Sequence, residues 1–136
     1  MNVAPSRTHT SSETLRSRRY CSLLPEAKKL VLDALQAAEA VNQFIEGKTE
    51  ADYLSDLFLR SAVERQLFVV GEAITQLRQV DRDLFNALAE SRRLVGFRNL
   101  LAHGYGSVDD RRVWALIHEE LPTTVEQLQH LMKGPD

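Results

Sequence analysis

Residues 59–77, with the sequence LRSAVERQLFVVGEAITQL, decide the fold of this chain of 136 residues. Apolar side chains recur in this stretch at every third or fourth position, which places them on one stripe of an α-helix. The stripe consists of Leu59, Val63, Leu67, Val70, Ile74 and Leu77. A long helix with one apolar side needs other helices to cover that side, so the stretch predicts a helical bundle.

Gly71 lies in the middle of this helical pattern. A glycine inside a helix costs about 0.5–1 kcal/mol relative to alanine, because its backbone loses more conformational freedom on folding. Its presence is explained if another backbone comes so close to the helix that a side chain would not fit. We therefore predict that a neighbouring helix packs against Gly71.

Helical patterns flank this stretch on both sides. Upstream, an amphipathic helix has Pro25 in its first turn and continues until Gly47, and a short polar segment around Thr49 connects it to the central helix. Downstream, the pattern predicts a turn or short helix at 81–86, a helix at 88–102, a helix capped by Asp109 or Asp110, and a last helix opened by Pro122 and Thr123. The predicted fold is all-α, an antiparallel bundle of four to five helices.

Composition divides the chain into two parts. Residues 1–22 are rich in Ser, Thr and Arg and have no apolar periodicity, which predicts a flexible N-terminal tail before a bundle at 23–136. The net charge of −2 argues against nonspecific coating of nucleic acid. A single cysteine, Cys21, and the lack of an apolar run of roughly 20 residues favour a soluble cytoplasmic protein without membrane contact.

Residues 98–105, RNLLAHGY, hold the candidate chemistry: Arg98, Asn99, His103 and Tyr105. Arginine presents a fixed fork of donors to a phosphate, and histidine can exchange protons near neutral pH. Together they can cleave a phosphodiester without a metal or other cofactor. No cluster of His, Cys or carboxylate residues has the spacing of a metal site.

Helical geometry relates these four residues to one another. Asn99 and His103 are four residues apart and share a face, and Arg98 and Tyr105 are seven apart. Gly104 is suited to a left-handed cap that ends the helix at His103. Five arginines and two aspartates between residues 91 and 112 also predict a modest positive patch. From the residues alone, a ribonucleolytic site and a last-turn histidine beside a surface arginine are equally good interpretations.

The wider sequence resembles the HepT family of minimal HEPN-domain proteins from about residue 23 to 131. The family motif is an arginine, four residues, a histidine, one residue and a tyrosine, which Arg98, His103 and Tyr105 reproduce. Similar blocks occur in the same order at 63–73, 96–99, 113–114 and 121–122. The resemblance implies a homodimeric HEPN bundle in which two copies of the motif face one another across a cleft.

The same resemblance implies a metal-independent endoribonuclease toxin of a type VII-like toxin–antitoxin pair. Arg98 and His103 would be catalytic, while Asn99 and Tyr105 would bind or orient RNA. The partner would be an MntA-like nucleotidyltransferase antitoxin, which neutralises the toxin by transferring AMP to Tyr105. The alternative is a noncatalytic HEPN accessory module that binds a nucleotidyltransferase or its substrate.

Three charged residues of the central helix have no assigned role at this point. Glu64, Arg65 and Glu72 either contact and support Arg98 or are exposed i, i+4 neighbours on the helix, and we favour a structural or dimer role for them.

Overall fold

A computed structural model describes residues 22–104, 106 and 108–133, and this part of the chain contains helices and no strand. In chain order the helices are α1 (Pro25–Ile45), α2 (Glu50–Ser55), α3 (Leu57–Val80), α4 (Arg82–Ala87), α5 (Ser91–His103), α6 (Asp110–Glu119) and α7 (Leu121–Met132). The predicted all-α bundle is confirmed. Five of these helices are long, and α2 and α4 have six residues each. The predicted tail at 1–22 lies, apart from residue 22, outside the described residues.

The central helix α3 organises the core. All six residues of its apolar stripe are buried, as the sequence predicted. Its main partner is α1, whose apolar face is buried from Ala27 to Val41. Helices α4 and α5 pack against other parts of α3, and α7 closes the bundle against α1 and α6. Burial of this shared core supplies the main driving force for the fold.

Local signals set where the first helices begin and end. Pro25 occupies the first turn of α1, and Gly47 adopts a left-handed φ of 73° just after that helix. The polar segment that we predicted as a connector is the short helix α2. It begins with a capping box, in which Thr49 and Asp52 each accept a hydrogen bond from the other's backbone N–H.

The helix predicted at 88–102 begins three residues later, at Ser91. Asp81 caps the preceding helix α4 by accepting a hydrogen bond from the backbone N–H of Leu84. Leu88 follows α4 in an extended conformation and is buried, so its apolar side chain belongs to the connection and not to α5. Asp109 caps α6 as predicted.

Gly71 is the crossing point of α3 and α5. A Cβ atom at this position would overlap the Cβ of Arg98 and would lie 2.9 Å from the backbone carbonyl oxygen of Leu94. The predicted close approach of a neighbouring helix is therefore confirmed. Because Arg98 is the neighbour, this glycine also sets how closely α5 carries Arg98 to α3.

We expect Gly71→Ala to destabilise the protein by about 1–3 kcal/mol, because the added methyl group overlaps the Cβ of Arg98 and the backbone carbonyl oxygen of Leu94, neither of which can move without shifting α5. Gly96→Ala is the matched control, since a Cβ at Gly96 in α5 meets no atom within 4 Å. The free energy of unfolding of that control should rise by about 0.5–1 kcal/mol, because alanine lowers the chain entropy of the unfolded state. Urea unfolding at one protein concentration measures both, and equal stability of Gly71→Ala and wild type would contradict the close crossing.

None of the helices in the described residues combines the length and the apolar character that crossing a membrane requires.

Candidate active site at the end of α5

The motif occupies the last turns of α5 and the residues that follow. The helix ends at His103, as predicted, and the Gly104 N–H donates a 2.7 Å hydrogen bond to the Leu100 carbonyl oxygen. The predicted left-handed cap is wrong, because Gly104 has φ −128°. Tyr105 lies outside the described residues, so its predicted relation to Arg98 stays a prediction.

Arg98 is held from three sides. Its Nε donates a hydrogen bond of 2.8 Å to Glu72 Oε2, and its Nη2 lies 2.7 Å from the same oxygen. Nη1 donates a hydrogen bond of 2.8 Å to Asn99 Oδ1, and the guanidinium carbon lies 5.5 Å from the centroid of the Phe68 ring. These partners do not use all five N–H donors of the guanidinium, and the side chain keeps 24% exposure. Arg98 is thus a fixed cation that can still bind an anion.

Glu72 of α3 is the residue that connects Arg98 to the bundle. Its Oε1 accepts a 3.1 Å hydrogen bond from Gln76, while its Oε2 receives Arg98. The Gln76 hydrogen bond, and then the Arg98 hydrogen bond, lower the pKa of Glu72. Glu72 therefore stays ionised at neutral pH and remains a partner for Arg98.

The role that we favoured for Glu72 from the sequence differs from the one observed. The signal that could have found its contact with Arg98 is the preceding glycine. Gly71 marks where α5 crosses α3, and the neighbouring carboxylate is placed to meet a cation on α5.

Asn99 and His103 are one helical turn apart on α5, and both are exposed. The amide oxygen of Asn99 accepts its hydrogen bond from Arg98. No residue in the described part of the chain hydrogen-bonds the His103 ring, so these residues leave both ring nitrogens open to a substrate. The site thus combines a fixed guanidinium and an accessible imidazole on one short helix.

The positive patch that sequence counting predicted is largely neutralised by acids from other parts of the chain. Besides the pair of Arg98 with Glu72, the ion pairs join Arg93 and Arg112 to Glu120 and Arg111 to Glu50. Glu120 is buried, and both arginines reach one of its oxygens at 3.1 and 2.7 Å. The first two pairs connect α5 and α6 to Glu120, the residue between α6 and α7, and the third connects α6 to α2. Most of the local arginines therefore serve the scaffold.

Residues outside the motif behave as structural elements. Trp114 of α6 is half-buried and packs between helices, with its ring 5.4 Å from that of Tyr53 and 4.3 Å from that of His118. The Nδ1–H of His118 donates a 2.8 Å hydrogen bond to the Trp114 carbonyl oxygen. The described residues include no group of three or more His, Cys, Asp or Glu side chains that could hold a metal ion.

A family model described as Ribonuclease HepT-like matches residues 34–131, a range that contains α3, α5 and the motif residues Arg98, His103 and Tyr105. The chain belongs to the Ribonuclease HepT-like family. The resemblance to HepT within the HEPN superfamily is thereby confirmed.

Individual members of this HepT-like family are distant in sequence. The chain is 27% identical over 106 residues to "Probable ribonuclease HepT" of Thermococcus cleftensis, covering 78% of the chain and 96% of that protein. It is 26% identical over 104 residues to a "Putative RNase" of Methanocaldococcus jannaschii, covering 76% and 94%. A third relative, "Gamma-glutamylcyclotransferase and putative RNase" of Methanocaldococcus jannaschii, is 28% identical over 102 residues, or 75% of the chain. The chain spans 46% of that longer protein. No solved structure matches this HepT-like chain.

Proposed function

We propose that this chain is a metal-independent endoribonuclease that cleaves RNA with Arg98 and His103. The observation that carries the proposal is the geometry of α5. Arg98 is fixed by Glu72 and Asn99, and the exposed His103 follows at the end of the same helix. Two relatives named as ribonucleases, which match the chain over most of their length, support RNA as the substrate.

The chemistry uses the nucleophile that RNA carries itself. A base removes the proton of the 2′-hydroxyl, whose oxygen attacks the adjacent phosphorus and displaces the 5′-oxygen of the next nucleotide. An acid protonates that leaving oxygen, so the products are a 2′,3′-cyclic phosphate and a 5′-hydroxyl. The negative charge on the phosphorane oxygens is greatest in the transition state, where the fixed guanidinium of Arg98 stabilises it.

The reaction needs one base and one acid, whereas each chain has one histidine in its motif. We propose that the active form is a homodimer in which two motifs face one cleft, so that one His103 acts as base and the other as acid. Asn99 accepts a hydrogen bond from Arg98, and in this proposal its amide also binds or orients the RNA.

We further propose that the protein is the toxin of a type VII-like toxin–antitoxin pair with an MntA-like nucleotidyltransferase. The partner would neutralise the toxin by modifying Tyr105, which follows the end of α5 by two residues. The tyrosine oxygen attacks the α-phosphorus of ATP, pyrophosphate leaves, and the phenolic proton passes to solvent. A bulky anionic AMP group at this position would block the cleft and repel RNA.

The decisive experiment for the enzymatic function is cleavage of single-stranded RNA by purified protein in excess EDTA. We expect cleavage with 2′,3′-cyclic phosphate ends at a rate that added Mg²⁺ does not raise. An RNA in which the 2′-hydroxyls are methylated is the matched control and should remain intact. A wild-type protein that cuts no RNA would exclude the nuclease and favour the noncatalytic accessory module.

The proposed modification predicts a change in intact mass. Incubation with the nucleotidyltransferase and ATP should add the mass of one AMP group per chain, because one phenol is modified. Tyr105→Phe should stay at its starting mass, since it lacks the attacking oxygen. Tyr53→Phe is the control: Tyr53 is fully buried, so this variant should be modified as wild type is. Modification of Tyr105→Phe would place the target elsewhere.

A further inference from the structure

A groove of about 190 Å³ runs between α1 and α3 and reaches the residues that hold Arg98. Apolar side chains of α1 and α3, among them Val69 and Ala73, form its floor. Phe68 and Glu72 line the groove and also contact Arg98. The groove is therefore continuous with the candidate active site.

Two guanidinium groups lie over the ring of Phe68. The Cζ of Arg98 lies 5.5 Å from the ring centroid, and the Cζ of Arg65 lies 5.9 Å from it. Arg65, Phe68 and Glu72 are three and four residues apart on α3, so they share one face of that helix. Aromatic rings and the guanidinium planes of arginines are both surfaces on which a nucleic-acid base can stack.

The charges of the groove leave one cation available. Lys29 pairs with Asp33 at 3.1 Å, and Glu72 pairs with Arg98, so both acids of the groove are neutralised. Arg65 is exposed and forms no ion pair with any residue that the structure describes. Its donors are thus open to a phosphate, which arginine can bind through two N–H groups at once.

We propose that the α1–α3 groove binds the nucleotide next to the scissile phosphate of single-stranded RNA, with its phosphate on Arg65 and its base against Phe68. The inference rests on the proposed ribonuclease function and gives that site a second binding position. An available cation beside an aromatic ring, continuous with the proposed phosphate-cleaving site, favours an extended polyanion as the occupant of the groove.

Binding is best measured without cleavage, with His103→Ala protein and a fluorescently labelled single-stranded oligoribonucleotide. Adding Arg65→Gln or Phe68→Leu should weaken binding roughly ten-fold each, in line with the loss of one phosphate contact or one stacked base. Arg65→Gln should also lower the slope of log affinity against log salt by about one. Arg82→Gln is the matched control, an exposed arginine on α4 away from the groove, and should bind as the parent does.

Two results would overturn the groove as an RNA site. One is unchanged affinity and salt dependence in Arg65→Gln together with unchanged affinity in Phe68→Leu. The other is a parent that sediments as a dimer while both groove variants sediment as monomers, which would make the groove an interface between copies. Failure of the proposed nuclease is a separate result, because it is measured as missing cleavage by wild type, whereas the groove is measured as binding by a cleavage-deficient parent.

Discussion

His103→Ala should lower kcat for RNA cleavage by about 10²–10⁴-fold, the range that a positioned proton-transfer group contributes. The effect is expected to be catalytic and not structural. His103 is the exposed last residue of α5, and within the described residues no hydrogen bond depends on its ring. The variant should therefore fold and sediment as wild type does, while product formation under saturating RNA falls.

The control for this prediction is His130→Ala. His130 is also exposed and also lies in the last turn of a helix, α7, so the two substitutions remove the same side chain from similar surroundings. Circular dichroism and sedimentation should be unchanged in both variants, and only His103→Ala should lose activity. Equal kcat in the two variants would exclude a catalytic role for His103.

A mixed dimer tests whether one His103 acts as the base and the other as the acid. Wild-type and His103→Ala chains with different affinity tags can be unfolded together, refolded and purified as the species that carries both tags. If one His103 is the base and the other is the acid, the mixed dimer has lost a required group and should fall far below half of wild-type activity. Activity close to half would mean that each subunit holds a complete site.

The sequence was sufficient to predict the five long helices and one position where two of them cross. Six apolar residues at helical spacing gave the buried stripe of α3, and the glycine within it marked the crossing with α5. Both signals are local in the sequence or follow from the steric properties of one residue, so no knowledge of distant contacts was needed.

The ion-pair partners of the charged residues could not be predicted from the sequence in the same way. Glu72 and Arg98 are 26 residues apart, and Arg93 and Glu120 are 27 apart, so no local spacing rule relates them. Counting charges between residues 91 and 112 overestimated the positive patch for this reason. The cap at Gly104 was wrong because glycine permits the left-handed conformation without requiring it.

Arg98→Lys should lower kcat by about 10²–10³-fold, as expected when a fixed donor to the developing phosphorane charge is lost. Lysine keeps the positive charge, but it has no planar fork to bridge Glu72 and Asn99 while binding a phosphate. KM should change less than kcat, because the charge on the substrate phosphate is smaller than in the transition state. Arg112→Lys, at the buried Glu120, is the matched control and should keep kcat.

The role of Glu72 can be separated from general stability in the same experiment. If Glu72 acts by positioning Arg98, Glu72→Gln alone should reduce kcat, since a neutral amide holds the guanidinium less firmly. In an Arg98→Lys background, Glu72→Gln should lower kcat little further, because the guanidinium that Glu72 positions is already absent. If kcat of the double variant falls by the product of the two single-variant reductions, the two residues act independently. Coupling between them would identify the α3–α5 crossing, fixed by Gly71, as the element that holds the catalytic arginine in place.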